Sequence, residues 1–505
     1  SDVYKRQLQH GLRRMDEALA AYRAAVTAAP QQLDAHAGLI RLLMAQDKSD
    51  DAARALETLV KLAPGRPMTV YLQTQLAYSR QDFKTARERA QQLLKLSPEN
   101  PQANELAGVV ELQAGSVLKA QALLGKALQA EPGLPVATRA MVLAHLQAGQ
   151  VDQAIASLPQ GLDKPDADPT LLSVAGRAYM AKGDFQQAQE LFRRASQADP
   201  KDLSKRTSLA VSQFQAGQTD LALAELGDIA AQDKGVMADL ALINAHVQRK
   251  DTDKALAAIA VLEQKRAQDP MPSHLRGVVL LMRNDRAGAR KAFEKSLSLD
   301  KTYLAAVAGL ATLDLADKQP AAAVERLRGL TKEQPENPQA WLALADVLRT
   351  TAAPTADVSV ALKQAAKVAP NETRPRVLLV DHYLGQKDSK AALAAAQDAA
   401  AALPDVAEVL AALGRAQAAA GETHQALATF NKLANVMPAS PLPYLLMAQM
   451  QLSAKDNKAA LHSLNKAVEI KADFLPAQRA LVELAVASQQ KDQALALSKS
   501  VQKQR

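Results

Sequence analysis

The chain has 505 residues, 48% of them hydrophobic and 23% charged, and a net charge of +8 from 61 basic and 53 acidic side chains. That balance excludes a disordered chain, the interspersed signs without a basic–aromatic stripe argue against a nucleic-acid surface, and the lack of cysteine excludes disulfides, thiolate metal sites and a cysteine nucleophile. No apolar run approaches the ~18 residues of a membrane span, and "RGVVLLMR" is bracketed by arginines and far too short.

The chain opens on "SDVYKRQ", without Met and without a signal peptide, and enters in the middle of a repeat. Residues 1–14 read as a partial first repeat or as read-in sequence, and the whole as a fragment whose targeting segment, if any, lies upstream. From Met15 onward one pattern recurs. A small residue stands at Ala18, Ala52, Ala86, Ala120, Ala154, Ala188 and Ala222, each 34 residues from the last. The series continues at Ala255, Ala289 and Ala323 and resumes at Ala392, Ala426, Ala460 and Ala494. Prolines mark the ends of the units at Pro30, Pro64, Pro98, Pro132, Pro200, Pro335, Pro370, Pro404 and Pro438.

The unit "AGRAYMAKGDFQQAQELFRRASQADP" shows what the period encodes. Leu172, Ala175, Gly176 and Tyr179 fall at the spacing of one helix face. "KGD" stops that helix and starts another: Gly183 suits a left-handed C′ position and Asp184 an N-cap. Phe185, Ala188, Leu191, Phe192 and Ala195 make the apolar face of the second helix, and Pro200 cannot continue it. Gly176 and Ala188 predict a close approach of the two helices. One such hairpin cannot bury its apolar face alone, so neighbours must stack. Residues 15–505 therefore read as a continuous solenoid of about 14 repeats. Three stretches break the pattern and are expected to bend it: 159–169 ("PQGLDKPDADP"), 231–237 ("AQDKGVM") and 350–357 ("TTAAPTAD"), the last carrying an extra residue.

No catalytic motif assembles. The histidines (His10, His36, His145, His246, His274, His382, His424 and His462) are scattered, without a metal-binding spacing. There is no GxSxG, GxxxxGK[ST] or GxGxxG. The reading is of a non-enzyme with no cofactor and no metal site.

The 34-residue unit, with "ENPQAWLALADVL" and "LGRAQAAAGETHQALATFNKLANVMP", resembles the tetratricopeptide repeat (TPR). The resemblance covers essentially the whole chain and implies an all-α fold, a right-handed superhelix of antiparallel helix hairpins. In that fold the first helices line a concave groove that holds a protein or peptide. The residues it places there are Tyr71, Tyr78, Arg139, Arg177, His274, Asp346, Arg349, Asp381 and Arg415, with the three arginines Arg139, Arg177 and Arg415 expected to be exposed. Clamps for a C-terminal carboxylate use paired Asn and Lys on successive first helices. Asn244 stands alone here, so that mode is disfavoured.

The texture of "LLGKALQAEPGLPVA" and "SLNKAVEIKADFLPAQRALVEL" further resembles the PEP-CTERM system TPR-repeat lipoproteins of the PrsT type. That resemblance implies a scaffold in the exopolysaccharide and exosortase system of a Gram-negative envelope, in the periplasm, with a lipid anchor upstream. The alternatives are a scaffold of another envelope assembly or secretion machine, or the TPR arm of a larger enzyme such as a glycosyltransferase, with an RNA-binding helical repeat as a variant. The partner and the oligomeric state are open at this point.

Overall fold

The computed structural model describes residues 2–164, 166–489, 495 and 498. Among the described residues there are 28 α-helices and no strand. The chain divides into two compact units, Ser1–Asp251 and Thr252–Arg505. Each is an all-α stack of helix hairpins.

The period is set by element lengths. A first helix of 13 residues (Pro67–Ser79) is followed by the three-residue turn 80–82 and a second helix of 14 residues (Phe83–Leu96). The four residues 97–100 then lead to the next first helix, Pro101–Gln113, which completes the 34. In the turns one residue takes a left-handed backbone: Gly183 has φ 83°, as the sequence predicts, while Asp47, Gln81, Lys318 and Lys387 do the same without being glycine. Asp184 then caps the second helix by accepting from the Gln187 N–H, and Asp82, Asp285, Asp388 and Asp456 repeat that bond.

The periodic alanines are the tightest points of the stack. From Ala52 to Ala460 every one of them is 0% exposed, while Ala18 is partly buried and Ala494 lies outside the described residues. The repeat missing from the series uses Val358 at the same place.

Gly176 does not serve a direct backbone contact. It makes room for the Phe192 ring, which lies 2.8 Å from where a Cβ would stand. The relation extends to most repeats and is a trade of volume between the eighth residues of the two helices. Gly277 faces Phe293 and Gly414 faces Phe430. Ala210 pairs with Leu226, Ala311 with Leu327, and Ala345 with Leu362. Val380 is matched by the small Ala396. Ile40 and Leu56 are both large and depart from the rule. Close packing at crystal-like density demands that one side shrink where the other grows.

Polar staples tie neighbouring repeats. Glu111, 2% exposed and eleventh in its first helix, holds Arg87 from the preceding repeat at 2.9 Å and Lys119 from its own second helix at 2.5 Å. Asp314, eleventh in Leu304–Ala316, does the same with Arg290 at 2.8 Å and Arg326 at 2.9 Å. Gln417–Thr429 and Gln451–Ser463 are uncharged counterparts of the bond within a hairpin, from first helix to second. The single tryptophan also ties helix to helix, since Trp341 Nε1 donates to the Pro335 carbonyl at 2.8 Å, at the end of the preceding hairpin.

The three irregular stretches differ in kind. The second helix Val151–Ala156 has only six residues, and the loop after it replaces the missing turns. Arg194 holds that loop by donating to the carbonyls of Leu162 and Lys164. Near 231–237 the loss of one residue falls in the 12-residue helix Met237–Gln248. At 350–357 the extra residue sits in the turn: helix Pro338–Thr350 and helix Thr355–Val368 are four residues apart, and Ala352 takes the left-handed conformation.

Candidate functional site

Residues two, five, nine and twelve of a first helix share one face, and in Pro67–Ser79 these are Met68, Tyr71, Gln75 and Tyr78. Side by side with Arg41 from Leu33–Ala45, Glu105 and Val109 from Pro101–Gln113, and Val136 from Pro135–Gln147, they line a groove of about 770 Å³ in the first unit. Two of the sequence-predicted residues, Tyr71 and Tyr78, are thus brought together. Tyr78 is held edge-on against Phe83, with ring centroids 6.0 Å apart. The Tyr71 phenol accepts from Gln75 Nε2 at 3.3 Å. Burial pushes the Tyr71 phenol up, the Glu105 charge adds to this, and Arg41 opposes it.

Apolar surface is left open in this groove: Met68 is 40% and Val136 41% exposed. Glu105 is its acidic group. One carboxylate oxygen accepts the Ala137 N–H at 2.9 Å. Burial raises its carboxyl above the usual range, the Ala137 bond and Arg139 work against the rise, and Glu131 adds to it. Arg139 itself is turned to Asp168, at 2.7 Å, and is partly buried there. Arg177 is exposed, as the sequence predicts.

The second unit has its own groove, of about 880 Å³, lined by Asp346, Arg349, Asp381, Leu342, Leu378 and Arg374 among others. Here the predicted charges pair with one another. Arg349 donates to Asp346 at 2.7 Å within one helix. Arg415 of helix Ala407–Ala419 meets Asp381 of helix Thr373–Gly385 at 2.8 Å, so Arg415 is partly buried and engaged rather than free. His274 lies in neither groove. Its ring sits 5.5 Å from Phe293 and 5.8 Å from Tyr303, and burial lowers its pKa. It is a packing residue because Phe293 and Tyr303 close over the face that the sequence leaves open.

Sequence reasoning missed Met68, Glu105, Val136 and Arg41. Their signal was the same face periodicity that picked out Tyr71. Only the stacking of four first helices shows that the Glu105 carboxylate is half-buried beside a tyrosine.

Among the described residues no three His, Asp or Glu side chains are grouped to hold a metal ion. No described helix is long and apolar enough to cross a membrane. What the grooves offer is shape, apolar contact and fixed charge, which is the chemistry of binding.

No curated protein sequence matches the chain. Solved structures with a similar fold include a chain of the structure of Naa15/Naa10 bound to HypK-THB, at 15% identity and TM-score 0.40, covering 99% of this chain and 93% of that one. Another is the crystal structure of the APC/C hetero-tetramer Cut9–Hcn1, at 13% identity and TM-score 0.31, covering 86% and 93%. Two family models described as tetratricopeptide repeat match the sequence, one over residues 10–76, 179–239 and 280–347 and the other over 71–135, 139–202 and 377–441. With these matches spread over the greater part of a chain of 34-residue helix hairpins, the protein belongs to the tetratricopeptide-repeat family.

Proposed function

We propose that the chain is a non-catalytic protein–protein interaction scaffold that holds a flexible protein segment in the groove of its first unit. The observation that carries this reading is the open, tyrosine-lined groove with Met68 and Val136 exposed in it. A partner that covers these side chains recovers the free energy of their burial, about 25 cal/mol per Å² of apolar surface. The recurring residues are accounted for by helix packing, and the remaining polar groups by caps, staples and groove charge. The groove mixes signs, which suits a peptide better than a phosphate backbone.

The setting we assign is the periplasm or envelope of a Gram-negative bacterium, in an exopolysaccharide and exosortase sorting system, with a lipid anchor upstream. It rests on the sequence texture shared with the PrsT-type lipoproteins. Metabolic labelling of the full-length protein with palmitate tests it, and an unlabelled protein in the cytoplasmic fraction overturns it.

The groove reading is tested by affinity capture with Met68→Glu/Val136→Glu beside the wild type. Both side chains are exposed, so the variant keeps its helical content by circular dichroism. We expect the specifically captured partner to be lost. Retention of the partner moves the binding face elsewhere, and sugar transfer or hydrolysis by the purified wild type overturns the non-catalytic reading.

A further inference from the structure

We propose that the groove of the first unit selects a segment carrying a lysine or arginine between apolar side chains, with the cation seated on Glu105 and the apolar flanks on Met68, Tyr71 and Val136. This rests on the scaffold reading above and names the chemistry of the partner.

Glu105 has no ion-pair partner among the described residues, and its one hydrogen bond comes from a backbone amide. The cation whose charge acts on it is already engaged. Arg139 is bound to Asp168 at 2.7 Å. Arg41 contacts the Met68 sulfur at 2.9 Å, two first helices away. Glu131, held by Gln102 at 2.9 Å, adds negative charge on the same side. A carboxylate that burial makes costly to ionise gains from an arriving cation, and Arg139, bound to Asp168, acts on it only through its charge and without an ion pair.

The groove is lined by residues of four successive first helices, a span that suits an extended chain. Tyr71 feels the charges of both Arg41 and Glu105, and Met68 and Val136 line the same groove. A lysine or arginine suits this arrangement because its methylene stem lies on apolar surface while its head reaches a charge. The phenol and thioether faces add attraction for a cation or its stem. An acidic segment would meet Glu105 and Glu131, a repulsion that discriminates by itself.

The test uses three fluorescein-labelled nonapeptides of leucine and serine with lysine, norleucine or glutamate at the centre, titrated by anisotropy against the full chain and its Glu105→Gln variant. The Gln oxygen can still accept the Ala137 N–H, so the fold is kept and is checked by circular dichroism. We expect the lysine peptide to bind about tenfold more tightly than the norleucine one, as for a charge-assisted contact, and the glutamate peptide to bind most weakly. In Glu105→Gln the lysine preference disappears.

Equal binding of the lysine and norleucine peptides, or a preference that survives Glu105→Gln, overturns the proposal. If all three peptides bind alike and Met68→Glu/Val136→Glu abolishes them all, the scaffold reading stands and only the cation assignment falls. If none binds and light scattering shows self-association lost in that double variant, the occupant is a second copy and the proposal is overturned.

Discussion

The two units are built from the same hairpin, yet their grooves treat charge differently. In the second unit Asp346 is neutralised by Arg349 and Asp381 by Arg415, so the groove satisfies itself. In the first, Glu105 is left with a backbone amide while Met68 and Val136 stand open beside it. The packing positions make the scaffold and the intervening face makes the specificity, and the two vary independently along one chain. The fifth position of the first helix shows this in miniature. It is Tyr71, lining a groove, in Pro67–Ser79, and His274, partly buried against Phe293 and Tyr303, in Pro270–Met282.

The largest effect should come from breaking the volume trade of the second unit. A Cβ on Gly277 would stand 2.4 Å from the Phe293 ring. Phe293→Ala should cost about 3–5 kcal/mol as a cavity, and Gly277→Val about 1–3 kcal/mol or more as overpacking. Combining them recreates the Val380–Ala396 arrangement and should recover part of the loss. Urea unfolding with simple addition of the two losses would show that the pair does not trade volume.

Next come the staples, which the two units share. Removing the acid in Glu111→Leu leaves Arg87 and Lys119 unpaired, and in Asp314→Leu it leaves Arg326 unpaired while Arg290 keeps Asp317; each should cost about 2–4 kcal/mol, less than a fully buried pair because the cations are partly exposed. Burial pushes the Glu111 carboxyl up, but the hydrogen bonds and charges of Lys119 and Arg87 outweigh it and hold it below the usual range. A depressed folded pKa means that this stabilisation is present above the unfolded value of about 4.3 and is lost as pH falls through the lower folded one. Amide protection factors in Pro101–Gln113, corrected for the slower intrinsic exchange in acid, should therefore fall on acidification in the wild type and much less so in Glu111→Gln. Identical acid profiles would show that the staple does not hold the helix.

A smaller effect separates Tyr71 from His274. Burial alone lowers the His274 pKa, so the folded chain prefers the neutral ring. The unfolded chain takes up the proton first, and stability falls as pH drops below the unfolded value of about 6.5. The melting temperature should decline less between pH 7 and pH 5 in His274→Phe than in the wild type. A parallel decline would show that the ring is reached by water.

The smallest effects concern the groove cations. Arg415→Glu sets a second acid beside Asp381, with both side chains about 40% exposed, and should cost about 0.5–1 kcal/mol. Arg177→Glu, at an exposed site, should stay within about 0.5 kcal/mol. Equal losses in denaturant titrations would place Arg177 in an interaction as well.

The repeat is legible in the chain alone. The 34-residue step of the alanines, the Gly183–Asp184 turn and the terminal prolines are local constraints: a left-handed φ, an N-cap and a missing N–H act within a few residues and so are written in order along the chain. The 0% exposure of Ala188 follows from them. What Gly176 is for emerges only on packing, since the Phe192 ring that fills its space comes from the facing helix. Packing likewise sets His274 against Phe293, spends Arg139 and Arg415 in ion pairs, and leaves Glu105 without an ion pair. Each of these depends on a side chain from another helix, often the next repeat, and a packing period carries no information about which partner a surface charge will meet.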